Sequence, residues 1–216
     1  MRLFINRQDA GQKLASALAS YQKATETLVI ALPRGGVVVG FEVAQFLQLP
    51  LDIFCPRKIG APFNPEFAIG AITETGDGVF SKDVIQHLGI SQTELDALIE
   101  KEKKEAARRL AYFRKGLPPR QLQSKRVILV DDGLATGSTM RAAIKTAKAE
   151  NAKEVIVAVP VAPPDTMKLI EKEADKTLSL YVPANFYAVG QFYEFFDQTT
   201  DDEVVDLLNR MIKTQV

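Results

Sequence analysis

Short runs of aliphatic residues alternate with longer stretches in which apolar positions recur at helical spacing. Leu14, Ala17, Leu18 and Tyr21 repeat every three or four positions and predict a helix, after which Leu28 to Leu32 reads as a buried strand. Val37 to Leu47 predicts a second helix and Leu51 to Cys55 a second strand. Phe67 to Thr73 and Gly78 to Phe80 predict a hairpin-like pair turning at Gly76-Asp77-Gly78. Ser81 to Leu88 reads as a short helix. Ser91, with Glu94 three residues on, predicts a capping box that opens a longer helix. That helix carries Leu95, Leu98, Ile99, Leu110 and Phe113 on one broad face, and Pro118-Pro119 ends the segment. Val127 to Val130 follows as a strand with a helix behind it, then Glu154 to Val159 (strand), Thr166 to Glu173 (helix), Thr177 to Val182 (strand) and Asp201 to Ile212 (helix).

Strand–helix alternation of this kind predicts an α/β fold of three layers, with a mostly parallel central sheet flanked by helices. Residues 1–216 are expected to form a single domain, and no internal repeat or low-complexity linker interrupts them. The irregular part is the segment of about 57–122, too long for one ordinary crossover and read as an insert with a helical section. Its charged run, Glu100 to Leu110, mixes acids and bases at salt-bridge spacings and so predicts a solvated helix face rather than a nucleic-acid patch.

Composition narrows the class. Of 216 residues, 46% are hydrophobic and 25% charged, ordinary values for a globular protein. Lys plus Arg equals Asp plus Glu at 27 each, so no overall field favours DNA, RNA or an anionic membrane. The N-terminal stretch reads as an amphipathic helix rather than a signal peptide. No apolar run reaches membrane-spanning length. A cytoplasmic protein is expected. Cys55, the single cysteine, excludes an internal disulfide and reads as a small buried hydrophobe. His87, the single histidine, falls on a helix away from the expected site and reads as a surface or packing residue.

Candidate chemistry centres on Val127 to Met140, "VILVDDGLATGSTM". Asp131 and Asp132 fall where a buried strand ends, the edge at which open α/β sheets bind ligands. Gly133 to Thr139 then forms a loop rich in backbone N–H and hydroxyl donors that runs into a helix N-terminus, a favourable place for a phosphate. Two acids repel a phosphate but accept hydrogen bonds from sugar hydroxyls beside it, so the stretch suits a phosphorylated sugar. The competing reading is an acidic turn before an ordinary capped helix. A P-loop fits poorly, because no Lys follows the glycine in the required position. "LPRGGVVVG", Leu32 to Gly40, repeats the strand–loop–helix geometry with two glycines and the fixed charge of Arg34; its alternative is a tight turn with a surface arginine. Arg57 and Lys58 directly follow the second strand and are expected at the same sheet edge, either neutralising an anionic group or lying as a solvated basic pair. Glu66 and Glu74 read as structural or surface acids before metal ligands or proton acceptors.

The stretch Val127 to Thr139 resembles the signature of the type I phosphoribosyltransferases, which bind phosphoribosyl pyrophosphate (PRPP); Gly133, where a larger aliphatic is common, is a mild departure. Together with "DAG", "PRGG" and "RKIG", the chain most resembles a bacterial branch of that family over nearly its whole length. The resemblance implies the type I fold with a small hood. Asp131 and Asp132 would bind the ribose 2′- and 3′-hydroxyls, and Ala135, Thr136, Gly137, Ser138 and Thr139 the 5′-phosphate. Arg34, Gly35 and Gly36 would bind pyrophosphate, often through an unusual cis peptide, helped by Arg57 and Lys58. Asp131, Asp132 and Arg34 are the expected catalytic residues.

The implied activity is a pentosyltransferase of nucleotide salvage, transferring ribose 5-phosphate from PRPP to a nitrogenous acceptor and releasing pyrophosphate. Mg²⁺ would be held mainly by PRPP and water, with no protein ligand assigned. The expected partners are PRPP, a small-molecule acceptor and a second subunit in a dimer. "NFYAVGQFYEFF", Asn185 to Phe196, reads as core or interface, or else as a base-stacking wall through Phe186, Tyr187, Phe192 and Tyr193. Alternatives are a PRPP-sensing regulator without turnover and, more weakly, a ribose-phosphate hydrolase or phosphorylase. No motif identifies the acceptor.

Overall fold

The computed structural model describes residues 2–214, apart from the side chains of Glu66 and Thr214. Its strands are Thr27–Ala31 (β1), Leu51–Ile53 (β2), Arg57–Ala61 (β3), Asn64–Ile72 (β4), Gly78–Phe80 (β5), Arg126–Val130 (β6), Glu154–Val161 (β7) and Lys176–Tyr181 (β8). The α-helices are Arg7–Ala17 (α1), Gly35–Leu47 (α2), Lys82–His87 (α3), Gln92–Phe113 (α4), Ser138–Ala149 (α5), Pro164–Glu171 (α6) and Asp201–Thr214 (α7).

Five strands form the central sheet in the order β2-β1-β6-β7-β8, with every neighbouring pair parallel. Side chains alternate between its faces. Val29, Ala31, Ile128 and Val130 are buried with α1, α2 and α7 on one face. Leu28, Ile30, Val127 and Leu129 are buried with α5 and α6 on the other. Covering on both faces is what continuous aliphatic runs require, and it gives the three expected layers. Because all five strands run the same way, the loops after Ala31, Val130 and Val161 emerge at one edge. The central strand β6 delivers Asp131 and Asp132 there.

The segment between β2 and β6 holds a second, antiparallel sheet, β3-β4-β5. The expected pairing of the second and third of these strands is present, and Ser91 caps α4 in a reciprocal capping box with Glu94. Two expectations are corrected. The second strand ends at Ile53, two residues early, because the Cys55 N–H leaves the ladder and donates to Glu74 Oε2 at 3.1 Å. Arg57 and Lys58 do not sit in a loop of the central sheet edge. They open β3, pairing with Ile72 and Ala71, while Ile59 and Ala61 point into a small core with Ile69, Ile72 and Leu95.

Glu74 therefore has a structural role, and the Glu66 side chain lies outside the described residues. Arg120 ties the two sheets together. It donates to Glu74 Oε1 at 2.9 Å, Glu150 Oε1 at 2.7 Å and the Ile53 carbonyl at 3.0 Å, and stacks on the Phe54 ring at 4.2 Å. The Arg120 and Glu74 side chains are 8% and 7% exposed, so removing one strands the other's charge. Arg120→Ala is expected to lower stability by about 3–5 kcal/mol, read from the urea midpoint; a loss within about 0.5 kcal/mol of zero, the size of an ordinary surface change, would contradict this role.

Candidate active site

The two acids sit against the glycines of the first loop. A Cβ on Gly35 would lie 2.0 Å from Asp132 Oδ2, and one on Gly36 would lie 2.7 Å from Asp131 Oδ1 and 2.9 Å from the Asp131 Cα. Any side chain at either position would displace a carboxylate. Gly35 and Gly36 thus let the backbone at the start of α2 approach the end of β6. The peptide between Pro33 and Arg34, entering this loop, is cis, the feature the resemblance implied there.

Asp131 Oδ1 accepts from the Asp132 N–H at 2.9 Å, so the first carboxylate closes the turn that carries the second. Asp132 Oδ2 accepts from Arg7 Nε at 2.7 Å, and the Asp132 carbonyl accepts from the Tyr193 hydroxyl at 2.6 Å. Burial and the neighbouring charge of Asp132 push the Asp131 carboxyl well above the usual carboxylate range. Burial also raises Asp132, and Arg7 pulls against that rise. The Tyr193 hydroxyl is pushed up, first by burial and then by the acids, and stays neutral.

Gly137, at φ 73°, turns the next loop into α5, and no side chain caps that helix. The α2 N-terminus, next to the acids, is also uncapped by any side chain. The N–H groups of Gly35 and Gly36 and of the first turn of α5 therefore remain available to an anion at this edge, whereas the Val37 N–H already donates to the Arg34 carbonyl at 3.0 Å. The Thr136 and Ser138 hydroxyls lie 3.2 Å apart, and Thr166 Oγ1 donates to the Ala135 carbonyl at 2.6 Å, holding the loop from α6. The departure at Gly133 has a steric cause: a Cβ there would lie 2.6 Å from Val189, which belongs to the aromatic-rich segment near the C-terminus.

Arg57, Lys58 and Thr139 line one cavity of about 510 Å³ with Pro62, Leu98 and Lys101, and Arg57 pairs with Glu102 at 2.9 Å. The geometry thus groups Asp131 and Asp132 with Gly35 and Gly36, and Arg57 and Lys58 with the loop of Ala135 to Thr139. Arg34 turns toward α7, meeting Asp201 Oδ1 at 3.5 Å, while the Gln198 amide oxygen, in its satisfied orientation, accepts from both terminal nitrogens of the guanidinium. Sequence reasoning missed Arg7, Gln198 and Asp201. Arg7 and Asp132 are 125 residues apart, and a lone arginine beside a helix cap carries no signal of such a partner.

His87 is exposed and Cys55 buried, its thiol pushed up by burial, as the sequence suggests. In the aromatic segment Phe192 and Tyr193 are core, packed with Phe4, whereas Tyr187 is 91% exposed. Among the described residues no group of three or more His, Cys, Asp or Glu is arranged to hold a metal ion. None of the described helices is long and apolar enough to cross a membrane.

A parallel sheet with an acid pair and two glycine-bearing loops at one edge defines an open α/β protein whose candidate site lies at the strand ends. Residues 5–195 match the phosphoribosyl transferase domain, and the chain belongs to that family. It is 45% identical over 210 residues, 97% of its length, to a Mycobacterium tuberculosis protein (Rv0571c in strain H37Rv, MT0597 in CDC 1551) whose provisional name is phosphoribosyl transferase. The chain spans about half the length, 47%, of those relatives. The crystal structure of TT1426 from Thermus thermophilus matches with a TM-score of 0.82 and 38% identity, covering 98% of this chain and 99% of that one.

The raised Asp131 carboxyl has a consequence for stability. The folded state holds this proton more tightly than the unfolded chain does, so its contribution is complete below the ordinary carboxylate pKa. It is lost as pH rises through the higher folded value. Asp131→Asn keeps the Oδ1 acceptor and removes the charge. The ligand-free variant is expected to exceed the parent by about 1 kcal/mol, or about 2–4 °C in Tm, at about pH 7.5. The difference should shrink toward about pH 4; thermal melts across that range check it, and a gain that grows on acidification would contradict the burial argument.

Proposed function

We propose that this protein transfers the ribose 5-phosphate unit of PRPP to a nitrogenous acceptor, such as a nucleobase, and releases pyrophosphate. The packing of the acid pair onto the Gly35-Gly36 backbone carries this reading. It gives one edge where sugar-hydroxyl acceptors and a phosphate-binding turn meet. Asp131 and Asp132 bind the ribose hydroxyls, and Ala135 to Thr139 bind the 5′-phosphate with the α5 N-terminus. Gly35 and Gly36 bind the pyrophosphate through their backbone, Arg34 would leave its contacts with Asp201 and Gln198 to join them, and Arg57 and Lys58 add positive charge to the donor's phosphates.

In the reaction the bond between C1 of the ribose and a pyrophosphate oxygen breaks, and its electron pair leaves with pyrophosphate. The acceptor nitrogen donates its lone pair to C1 and then loses a proton. The sugar acquires oxocarbenium character on the way, as in glycoside cleavage. Catalysis is therefore mainly positioning and electrostatics, with the acids beside the developing positive charge and the basic groups beside the leaving group. No protein nucleophile is required. Mg²⁺ would enter on the donor's own phosphates and water; the described side chains form no cluster to hold it, and no step is assigned to it.

Pyrophosphate release from PRPP with Mg²⁺ across a panel of nucleobases tests the activity. Asp132→Asn combined with Thr136→Ala is expected to lower kcat/KM by about 100-fold, the scale of losing a charged and a neutral hydrogen bond. Undiminished turnover would overturn the site assignment. PRPP binding with no turnover on any acceptor would make the protein a sensor instead.

A further inference from the structure

The guanidinium of Arg7 is used on its edge and on its face. Nε donates to Asp132 Oδ2 at 2.7 Å, Nη1 donates to the Asp197 carbonyl at 2.6 Å, and the Phe196 ring lies 3.8 Å from the guanidinium carbon. The Arg7 side chain is only 12% exposed. Asn6 caps α1 by accepting from the Asp9 N–H at 2.9 Å, which fixes the helix end that projects Arg7. The ion pair also lies directly on Gly35, where a Cβ would come within 2.5 Å of Arg7 Nε. A cation gripped in this way is fixed to the acid and is not free to follow a substrate.

We propose that Arg7 is a positioning residue of the donor site, which acts through Asp132 by holding its carboxylate charged and aimed for the ribose hydroxyl. This rests on the PRPP reading. Two carboxyls side by side in a half-buried crevice resist ionising together, and an uncharged carboxyl loses its strongest accepting form. Arg7 decides which of the two remains the anion. The ionisable groups that face Asp132 are Arg7 from α1, Asp131 beside it and Tyr193 from the C-terminal segment; the Gly35 backbone of α2 contributes none. Tyr193 stays neutral, so Arg7 is the cation in contact. Residues 193–197 thereby become part of the donor site without touching the donor: Tyr193 holds the Asp132 backbone, and Phe196 and Asp197 hold the arginine that holds its side chain.

The first measurement needs no ligand. The titration of Asp132 is followed by carboxyl ¹³C NMR in the full chain, in Arg7→Gln and in Arg7→Lys. Asp132 should titrate at higher pH in Arg7→Gln and return toward the parent in Arg7→Lys, which restores charge but not the planar fork. An unchanged titration in Arg7→Gln would overturn the proposal. The second measurement is the Kd for PRPP with Mg²⁺. Arg7→Gln should weaken it about tenfold, and the same change made in an Asp132→Asn background should have almost no effect. An equal loss in both backgrounds would show that Arg7 acts on the donor or on folding directly, and would also overturn the proposal. Absence of PRPP binding by the parent chain sinks the donor reading alone, because the titration still decides whether Arg7 governs Asp132.

Discussion

Asp131 and Asp132 end the central strand side by side, and a half-buried crevice must accommodate both. Burial raises the free energy of each charge, and each charge opposes the other. The surrounding chain supplies the relief. The Asp132 amide donates to the first carboxylate and Arg7 to the second, while two residues without side chains let α2 close over both. The chain accepts this cost because the parallel sheet sends every strand's C-terminal end to the same edge, and β6 is the strand at its centre. An acid pair anywhere else would not meet two helix-opening loops.

The relief comes from the two ends of the chain. Leu3 and Phe4 donate their N–H groups to the Phe192 carbonyl at 2.8 and 3.0 Å, and Phe4 packs on Tyr193 with centroids 5.1 Å apart. Tyr193 in turn stacks on Phe196 at 4.9 Å, and Phe196 covers Arg7. Arg34 is held from the same side, by Asp201 and Gln198 at the start of α7. The aromatic segment is thus more than a core patch. Its buried members, Phe192 and Tyr193, pack with Phe4, and Tyr193 holds the Asp132 backbone; Tyr187, Phe195 and Phe196 are exposed, and of these Phe196 lies on Arg7.

The central sheet was legible in the sequence because a strand buried on both faces has to be continuously aliphatic, and Leu28 to Leu32 or Val127 to Val130 fit little else. The acids and the two glycines stood out at strand ends, although an acidic turn before a capped helix and a tight strand-to-helix turn also explain them locally. What stayed hidden depends on distant partners. β3 is five residues long, flanked by Pro56 and Pro62 and interrupted by Gly60, and only pairing with β4 makes it a strand. The early end of β2 follows from a carboxylate nineteen residues away. Arg7 is the strongest case. Its sequence neighbours explain a helix start, and its use is set by Asp132, Phe196 and the Asp197 carbonyl.

The displaced position of Arg57 and Lys58 changes how the insert relates to the candidate site. Helix α5 begins at the loop of Ala135 to Thr139, and its body is fastened to the antiparallel sheet: Thr146 and Thr73 hydroxyls meet at 2.6 Å in a buried contact, and Lys145 donates to the Gly78 carbonyl at 2.9 Å. The sheet that carries Arg57 and Lys58 is therefore referenced to the loop of Ala135 to Thr139, with Thr139 sharing their cavity. A basic pair mounted this way keeps its register with the N-terminus of α5. The acid pair keeps its register with the glycine loop through α2. One helix thus serves each of the two glycine-bearing turns, and under the proposed PRPP reading the sugar would lie between them.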